Sequence, residues 1–466
     1  MAVKVKNKDL LISKGKTEAL RNARMMVLDS YEAALTVVQP QKLFQSKLTL
    51  NGSLLKICNE TFDLQKFNHI YVVGGGKASG EMAAALEQVL GNWVTRGIVN
   101  VPKGSKPKTQ KIVLNEASHP VPDEAGVYGV KQMLQIAKQA GHDDLLICLI
   151  SGGGSSLMPL PIDGVTLEDK QALTKMLLKS GAAIAEVNAV RKHLSAFKGG
   201  NLAKQAYPAT VLSLIISDVV GDGLGEIASG PTAPDLSTFQ DAVDILRNYQ
   251  IWDNAPLAVK ERLSKGVKGE VVETPKPCDP IFEKVHNVIV GNNQSACNAV
   301  KQYFEKRGVK TCLLAEPLEG EAYVVAESLT EKIRQAGAGD SEPVCLIAGG
   351  ETTVTVKGKG VGGRNQELAL AAALQLKGLQ GFVFAALSTD GIDGPTNAAG
   401  ALIDDTTLDR AQTLGLNAKC FLKSNDSYRF FSRLDDLVFT GRTGTNVNDL
   451  AIMLTKKTYH KNLSGT

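Results

Sequence analysis

One pattern recurs along this chain and limits what it can fold into: a short apolar run followed by a polar, glycine-rich loop. The runs span residues 69–73, 145–150, 211–216, 285–290, 344–348 and 382–387. Among the loops that follow them are GGGKASG, SGGGSS, SDVVGDG, GGETT and STDGIDG. Continuous apolar runs of this length are typical of parallel strands that are buried on both faces. We therefore predict an α/β fold in which strands alternate with helices.

The length of 466 residues predicts two domains, because single hydrophobic cores stop growing at about 250–300 residues. We predict a Rossmann-like N-terminal domain at residues 1–240 and a second α/β domain at 281–466. The connection at 241–280 contains TPKPCDP, in which three prolines fall within seven residues. Each domain is expected to hold a mostly parallel sheet flanked by helices.

Charge and composition exclude several kinds of partner. Lys and Arg total 52 against 48 Asp and Glu, and these charges are scattered, so no basic patch for nucleic acid is expected. No apolar run approaches the roughly 20 residues that cross a bilayer. The seven cysteines include no C-x-x-C pair, which argues against zinc and a disulfide framework. We expect a cytoplasmic protein with small-molecule partners, no membrane and no nucleic acid; a homodimer is one assembly that the sequence leaves open.

The loop GGGKASG is the first candidate site, because ligands of open α/β sheets bind beyond the carboxyl ends of the strands. Gly74, Gly75, Gly76 and Ser79 would supply cofactor contacts, and Lys77 would supply a cation at the start of a helix. The spacing is not that of a Walker A motif. The alternative is a tight turn with a solvated lysine.

The loop SGGGSS offers amides and hydroxyls without charge, which suits hydrogen bonds to phosphate oxygens. The predicted cofactor contacts in this loop are Ser151, Gly152, Gly153, Gly154, Ser155 and Ser156. A serine nucleophile is disfavoured because the second glycine of G-x-S-x-G is missing. If this loop is considered alone, a plain tight turn is supported as well as a phosphate-binding loop.

Two further loops carry aspartates directly after apolar runs. Carboxylate oxygens there could hold Mg²⁺ or accept a hydroxyl proton. We assign Asp222 and Asp390 to catalysis and Asp218 and Asp393 to the metal, although aspartate is also a common turn former.

The segment GKGVGGRNQE contains a formal G-x-G-x-x-G, which raises a dinucleotide-binding alternative. The preceding TTVTVK alternates polar and apolar residues, whereas the first strand of a dinucleotide fold is a buried apolar run. Gly362, Gly363 and Asn365 are predicted to contact the cofactor. Arg364 ranks first among the arginines, since its guanidinium can bind phosphate in a bidentate manner.

One basic segment and one loop histidine are interpreted as structural, and the C-terminal cluster is interpreted as a helix start whose preceding loop, with Arg442 and Thr443, is a candidate for anion binding. VNAVRKHLSAFKGG contains Arg191, Lys192, His193 and Lys198 and is predicted to be a solvated helix face. His119 lies in a proline-rich loop and is interpreted as structural. The run DLAIML near the C-terminus is predicted to be helical.

The ordered motifs VVGGGKASG, HPVPDEAG, SGGGSS, SDVVGDGLGEIASGPTAPD, AGGETTV, GGRNQELAL, STDGIDGPTNAAGA and TGRTGTNVNDL resemble those of class II glycerate kinases, whose C-terminal part is called the MOFRL domain. The resemblance implies a cleft between two α/β domains as the active site. It also implies Mg²⁺-supported transfer of phosphate from ATP to D-glycerate, usually giving 2-phosphoglycerate. Lys77 and Arg364 match residues regarded as part of the family's active site.

Two other functions remain open at this stage. One is an NAD(P)H-dependent hydroxypyruvate reductase, a name that some relatives have carried. The other is a non-catalytic sensor of phosphorylated metabolites. The many acidic loop residues argue against a sensor, because anion binding alone does not need them.

Overall fold

A computed structural model describes residues 3–339 and 343–455 of the chain. The chain forms two compact units. One, the central unit, is the continuous segment Pro40–Gly291. The other, the terminal unit, combines the residues up to Gln39 with those from Asn292 onward.

The helices and strands alternate along most of the chain. The helices are α1 (Lys8–Ser13), α2 (Glu18–Val37), α3 (Pro40–Lys47), α4 (Ser79–Leu90), α5 (Glu124–Gln139), α6 (Gly154–Leu157), α7 (Leu167–Ser180), α8 (Ile184–His193), α9 (Asn201–Ala206), α10 (Phe239–Asn248), α11 (Leu257–Val267), α12 (Asn293–Glu305), α13 (Ala322–Gly339), α14 (Arg364–Gln375), α15 (Thr407–Thr413), α16 (Ala418–Lys423) and α17 (Ser427–Leu434). The strands are β1 (Leu48–Asn51), β2 (Leu54–Ile57), β3 (Glu60–Asp63), β4 (His69–Gly75), β5 (Arg96–Pro102), β6 (Ile112–Ala117), β7 (Asp144–Ser151), β8 (Thr210–Ile216), β9 (Val285–Gly291), β10 (Lys310–Leu313), β11 (Leu318–Glu321), β12 (Val344–Thr353), β13 (Phe382–Ser388), β14 (Gly400–Asp404), β15 (Leu437–Val438) and β16 (Asp449–Thr455).

The main sheet of the central unit has the order β6-β5-β4-β7-β8-β9, and all its neighbouring strands are parallel. Strand β7 is buried along its whole length, as its apolar run predicts. This order is that of a Rossmann fold, in which the chain fills one side of the first strand and then returns to fill the other. The predicted α/β class and the Rossmann-like domain are confirmed. A small antiparallel sheet, β1-β2-β3, precedes it.

The sheet of the terminal unit has the order β10-β12-β16-β13-β14-β15, with β11 also paired to β12. Only β10 and β11 run parallel to β12, and the other pairs are antiparallel. The expectation of a mostly parallel sheet is therefore wrong for this unit. The cause is the run DLAIML, which forms strand β16 between β12 and β13 instead of the predicted helix. A fully buried apolar run fits a strand or a helix equally well by its periodicity.

The two-domain organisation is confirmed, but the units divide the chain at other positions than predicted. Strand β9 pairs in parallel with β8 and so belongs to the central unit. The predicted connection contains α10 and α11, which pack with α8 around one apolar cluster. Helix α2 belongs to the terminal unit, where the Tyr31 hydroxyl donates to the carbonyl of Ser388 at 2.6 Å. Long-range pairing, which local composition does not encode, sets these boundaries.

None of the helices in the described ranges 3–339 and 343–455 has both the length and the apolar character needed to cross a membrane.

Candidate active site

The strand order of the central unit marks where its ligand site lies. Strands β4 and β7 are neighbours, yet the chain leaves β4 towards β5 on one side and reaches β7 only after β6. At such a switch point the loops that follow the two strands turn to opposite faces of the sheet and leave a crevice between them. Here those loops are residues 76–78 and 152–156, which are the two glycine-rich loops predicted from the sequence.

The two loops are joined to each other by backbone contacts. The N–H of Lys77 donates to the carbonyl of Gly152 at 2.8 Å, and the N–H of Ala78 donates to Ser151 Oγ at 3.0 Å. Gly76 has a φ of +152°, and a Cβ atom there would lie 2.2 Å from Ser151 Oγ. A glycine is therefore required at position 76 to bring the loops this close.

Several residues predicted to contact the cofactor are closely packed in the structure. A Cβ atom on Gly74 would lie 2.1 Å from the carbonyl oxygen of Leu149 on the neighbouring strand, and one on Gly75 would lie 2.8 Å from Met158 Cγ. Ser79 and Ser151 are both buried, and their hydroxyl oxygens are 3.3 Å apart. Gly74 allows β4 to lie close to β7, and Ser79 joins the start of α4 to the end of β7.

The loop atoms that reach solvent belong to Lys77, Gly153, Ser155 and Ser156, all of which are partly exposed. A Cβ atom on Gly153 would lie 2.8 Å from His119 Nε2 and 3.2 Å from Lys77 Cγ. The side chains of Lys77 and His119 therefore both lie against Gly153. The structure brings His119 to the site, although sequence reasoning interpreted it as structural.

Helix α4 adds a positive electrostatic end to this loop. It begins at Ser79, directly after the loop, and its N-cap residue, Ala78, supplies no side-chain cap. The first N–H groups of a helix carry partial positive charge and favour anions. Lys77 adds a full positive charge one residue before the helix cap. The arrangement suits a phosphate group.

Behind the second loop lies a group of polar side chains that the sequence did not predict as a site. Ser155 Oγ is 2.8 Å from Ser229 Oγ, and Ser229 Oγ donates to Asn188 Oδ1 of α8 at 3.0 Å. Lys198 is buried and donates from Nζ to the carbonyl of Ser155 at 2.7 Å. The prediction that the basic run is a solvated helix face is therefore wrong at Lys198, and also at the buried His193.

The aspartates of the central unit follow β8, at the same edge of the sheet as Lys77. Asp218 and Asp222 are both partly exposed. Asp222 has a φ of +55°, a left-handed conformation that aspartate tolerates better than most residues. Their carboxylates lie on the loop next to the switch point.

Arg364 lies at the first position of α14 in the terminal unit, and two carboxylates compensate its charge. Its NH1 is 2.9 Å from Glu351 Oε1, and its NH2 donates to Asp449 Oδ1 at 3.0 Å. The Asp449 side chain is only 1% exposed. These carboxylates raise the pKa of Arg364 despite its burial. The predicted phosphate-binding arginine is thus already neutralised.

Asp393, one of the predicted metal ligands, caps α14. Its carboxylate accepts from the N–H groups of Asn365 at 3.1 Å and Gln366 at 2.9 Å, and from both of their side-chain amides. Burial and the charge of Asp449 raise the pKa of Asp393 to about 6. Four N–H donors occupy both of its oxygens, which argues against the predicted metal role.

The other predicted contacts of this unit also have local explanations. A Cβ atom on Gly363 would lie within 2.4 Å of the Asp393 carboxylate, and one on Gly362 would lie 2.2 Å from Ser427 Oγ. Asn365 is buried. Asp390 is partly exposed, and its Oδ1 accepts from Ser388 Oγ at 2.8 Å and from the N–H of Ile392 at 3.0 Å.

The fit of these residues to Mg²⁺ is partial. In the part of the chain that the structure describes, no group of three or more His, Cys, Asp and Glu side chains is arranged to hold a metal ion. However, Mg²⁺ commonly keeps several waters and is bound by one or two carboxylates together with substrate phosphates. Asp218 and Asp222 have suitable oxygens for that limited role.

Comparisons with known proteins agree with this architecture. Residues 26–264 match the family described as "Domain of unknown function (DUF4147)", and residues 344–449 match the MOFRL family. The glycerate 2-kinase of Pyrococcus horikoshii is 41% identical over 430 residues, covering 91% of this chain and 93% of the relative. The crystal structure of glycerate kinase from Thermotoga maritima gives a TM-score of 0.79 at 38% identity, over 92% of this chain and 98% of that one. A relative from Agrobacterium vitis, 41% identical over 388 residues, carries a reductase name.

The Rossmann strand order, the phosphate-suited loop and these relatives together define an α/β phosphotransferase. The chain belongs to the glycerate kinase family whose C-terminal part is the MOFRL region.

Proposed function

We propose that this protein transfers the γ-phosphate of ATP to D-glycerate and most often forms 2-phospho-D-glycerate. The observation that carries the proposal is the pair of glycine-rich loops at the switch point, with Lys77 and the uncapped start of α4 on one side and the neutral Ser155–Ser156 hydroxyls on the other. Relatives named as glycerate kinases support the choice of acceptor.

In the proposed step, the hydroxyl oxygen of glycerate bonds to the γ-phosphorus while the bond to the oxygen bridging the β- and γ-phosphates breaks. The hydroxyl proton passes to a carboxylate, for which we propose Asp222 or Asp390. Negative charge spreads over the transferring group, so a fixed cation lowers the barrier. Lys77 supplies that cation. Bound Mg²⁺, for which Asp218 is the proposed ligand, would neutralise phosphate charge.

Arg364 keeps its proposed role in stabilising the phosphate. Its two carboxylate partners differ in exposure, since the Glu351 side chain is 43% exposed and that of Asp449 is 1% exposed. A phosphate that reached this guanidinium would replace the more exposed Glu351 and leave the bond to Asp449 in place. A cytoplasmic location also stays part of the proposal.

The test is phosphorus NMR of the products formed from ATP, Mg²⁺ and D-glycerate. Formation of 2-phosphoglycerate with ADP supports the proposal, and formation of 3-phosphoglycerate would correct the position of transfer. NADH or NADPH consumption with hydroxypyruvate, without phosphorylated product, would instead establish the reductase. Binding of sugar phosphates with no ATP turnover would establish a sensor.

A further inference from the structure

Arg191 is a partly buried arginine whose guanidinium has no partner among the residues that the structure describes. Within residues 3–339 and 343–455 its side chain donates no hydrogen bond and pairs with no carboxylate. Arg24 shows the usual situation, since it is fully buried and bonds to both Asp404 and Asp436. A guanidinium has five N–H donors, and withdrawing them from water without replacement destabilises the protein.

The position of Arg191 at the end of α8 does not explain why its guanidinium is partly buried without a partner. A cation in the last turn of a helix is favoured by the helix dipole. The two residues that follow Arg191 lie in the same last turn, and each has a carboxylate partner. Lys192 Nζ lies 3.2 Å from Asp235, and His193 Nε2 lies 2.8 Å from Glu273. Arg191 alone in this turn has none among the described residues.

Two buried lysines lie near Arg191, and among the described residues their ammonium groups donate to backbone carbonyl groups and to no carboxylate. Lys170 Nζ donates to the carbonyl of Pro159 at 2.7 Å, and Lys198 Nζ donates to the carbonyl of Ser155. Burial and the charge of Arg191 lower the pKa of Lys170 to about 7. Burial and the charges of Lys170 and Arg191 also lower the pKa of Lys198. We call these three residues the cation cluster.

The cation cluster adjoins the second glycine-rich loop. Lys198 contacts the loop directly at Ser155. Asn188, which is joined to Ser155 through Ser229, lies three residues before Arg191 on α8. Residues three apart on a helix share one face. Arg191 therefore lies on the face of α8 that meets the loop at the switch point.

We propose that Arg191, supported by Lys198 and Lys170, binds the carboxylate of the acceptor substrate. This inference rests on the proposed function and specifies how the same site recognises glycerate. The planar fork of a guanidinium matches the two oxygens of a carboxylate. Lys77 and the start of α4 remain for the phosphate groups.

The experiment compares Arg191→Gln and Arg191→Lys with wild type in steady-state kinetics, varying D-glycerate and ATP separately. We expect Arg191→Gln to raise the KM for D-glycerate about 10- to 100-fold, the usual loss when a charged hydrogen-bonded pair is removed. The KM for ATP should stay within about twofold. Arg191→Lys should recover part of the loss, because it keeps the charge but not the fork.

Arg262→Gln is the matched control. Arg262 is also a partly buried arginine of the central unit, but it has the acidic neighbours Asp163 and Glu273, and its substitution should leave both KM values unchanged. Circular dichroism establishes that each variant is folded. Calorimetric binding of D-glycerate, compared with glycerol, which lacks the carboxylate, gives a second readout without catalysis.

The inference is overturned if Arg191→Gln keeps the wild-type KM and affinity for D-glycerate. It is also overturned if the KM for ATP rises instead, since the cluster would then bind nucleotide phosphate. If wild type binds D-glycerate but does not phosphorylate it, the proposed function fails, and loss of binding in Arg191→Gln still supports the inference. If wild type neither binds nor phosphorylates D-glycerate, both are wrong.

Discussion

Arg364 and Arg191 are two inward-facing arginines at opposite ends of their helices, and their surroundings differ in one respect. Arg364, at the start of α14, is paired with Asp449 and Glu351. Arg191, at the end of α8, has as its ionisable neighbours two buried lysines whose pKa values are lowered, and no carboxylate among the described residues. In the first case the protein supplies the counter-charge, and in the second an incoming anion must supply it. The arginine in the conspicuous glycine-rich motif is thus compensated, and the one in an ordinary helix is open to a ligand.

The largest expected effect is the loss of protein stability when Arg364, the arginine paired with two carboxylates, is replaced. Arg364→Met leaves Asp449, which is almost fully buried, without its cation, and breaking such a pair typically costs about 3–5 kcal/mol. We expect the free energy of unfolding, measured by urea denaturation, to fall by that amount. The double variant Arg364→Met, Asp449→Asn should recover part of the loss. If Arg364→Met kept the wild-type free energy of unfolding, the ion pair with Arg364 would not be what stabilises the buried Asp449 carboxylate.

The next effect is on catalysis in the central unit. Lys77→Ala should lower kcat about 10²- to 10³-fold, because it removes a cation that the transferring phosphate needs in the transition state. Thermal unfolding should be nearly unchanged. Lys204→Ala, an exposed lysine of α9, is the control and should keep full activity. Near wild-type kcat/KM in Lys77→Ala would remove Lys77 from the mechanism.

The next prediction concerns how the free energy of unfolding changes with pH because of Lys170, a member of the cation cluster. The pKa of Lys170 falls from an ordinary value of 10.5 to about 7 in the folded protein. Between these values the unfolded chain binds the extra proton, so stability rises with pH, by up to about 1.4 kcal/mol per pH unit for this group. Lys170→Met should flatten the rise measured by urea unfolding at pH 7, 8 and 9. An unchanged slope, equal to that of Lys204→Met, would contradict the assignment.

The smallest effect concerns Arg191 itself. Arg191→Met removes a charge that has no partner within residues 3–339 and 343–455, so the free energy of unfolding should stay the same or increase by on the order of 1 kcal/mol. This is the opposite sign to Arg364→Met under the same conditions. A loss similar to that of Arg364→Met would erase the distinction between the two arginines.

Much of the fold could be predicted because apolar runs and the loops after them are local features. Strands β4, β7 and β8 follow directly from such runs, and the Rossmann-like unit follows from them. Strand β16 could not be predicted, because a fully buried apolar run fits a strand or a helix equally well by its periodicity. The domain of β9 could not be predicted either, because its partner β8 lies far away in the sequence.

Residues of the candidate site could be predicted only where they lie in a local sequence pattern that is itself typical of a binding loop. Lys77 stands out because glycines surround it at the end of a strand. The capping role of Asp393 could not be predicted, because it depends on Asn365 and Gln366, which lie 28 and 27 residues away. Arg191 was missed because the absence of a carboxylate partner is a property of the packed structure, and no sequence pattern records it.

The connectivity of the terminal unit has a consequence for synthesis of the chain. Helix α2 is made among the first residues, but its packing partners α12 and β13 follow only after the whole central unit. At about 5–20 residues per second, translation of that stretch takes on the order of tens of seconds. During this interval α2, whose Leu28 and Leu35 are fully buried in the finished protein, lacks the surfaces of α12 and β13. Nascent chains should therefore recruit a chaperone at α2 until β13 has left the ribosome.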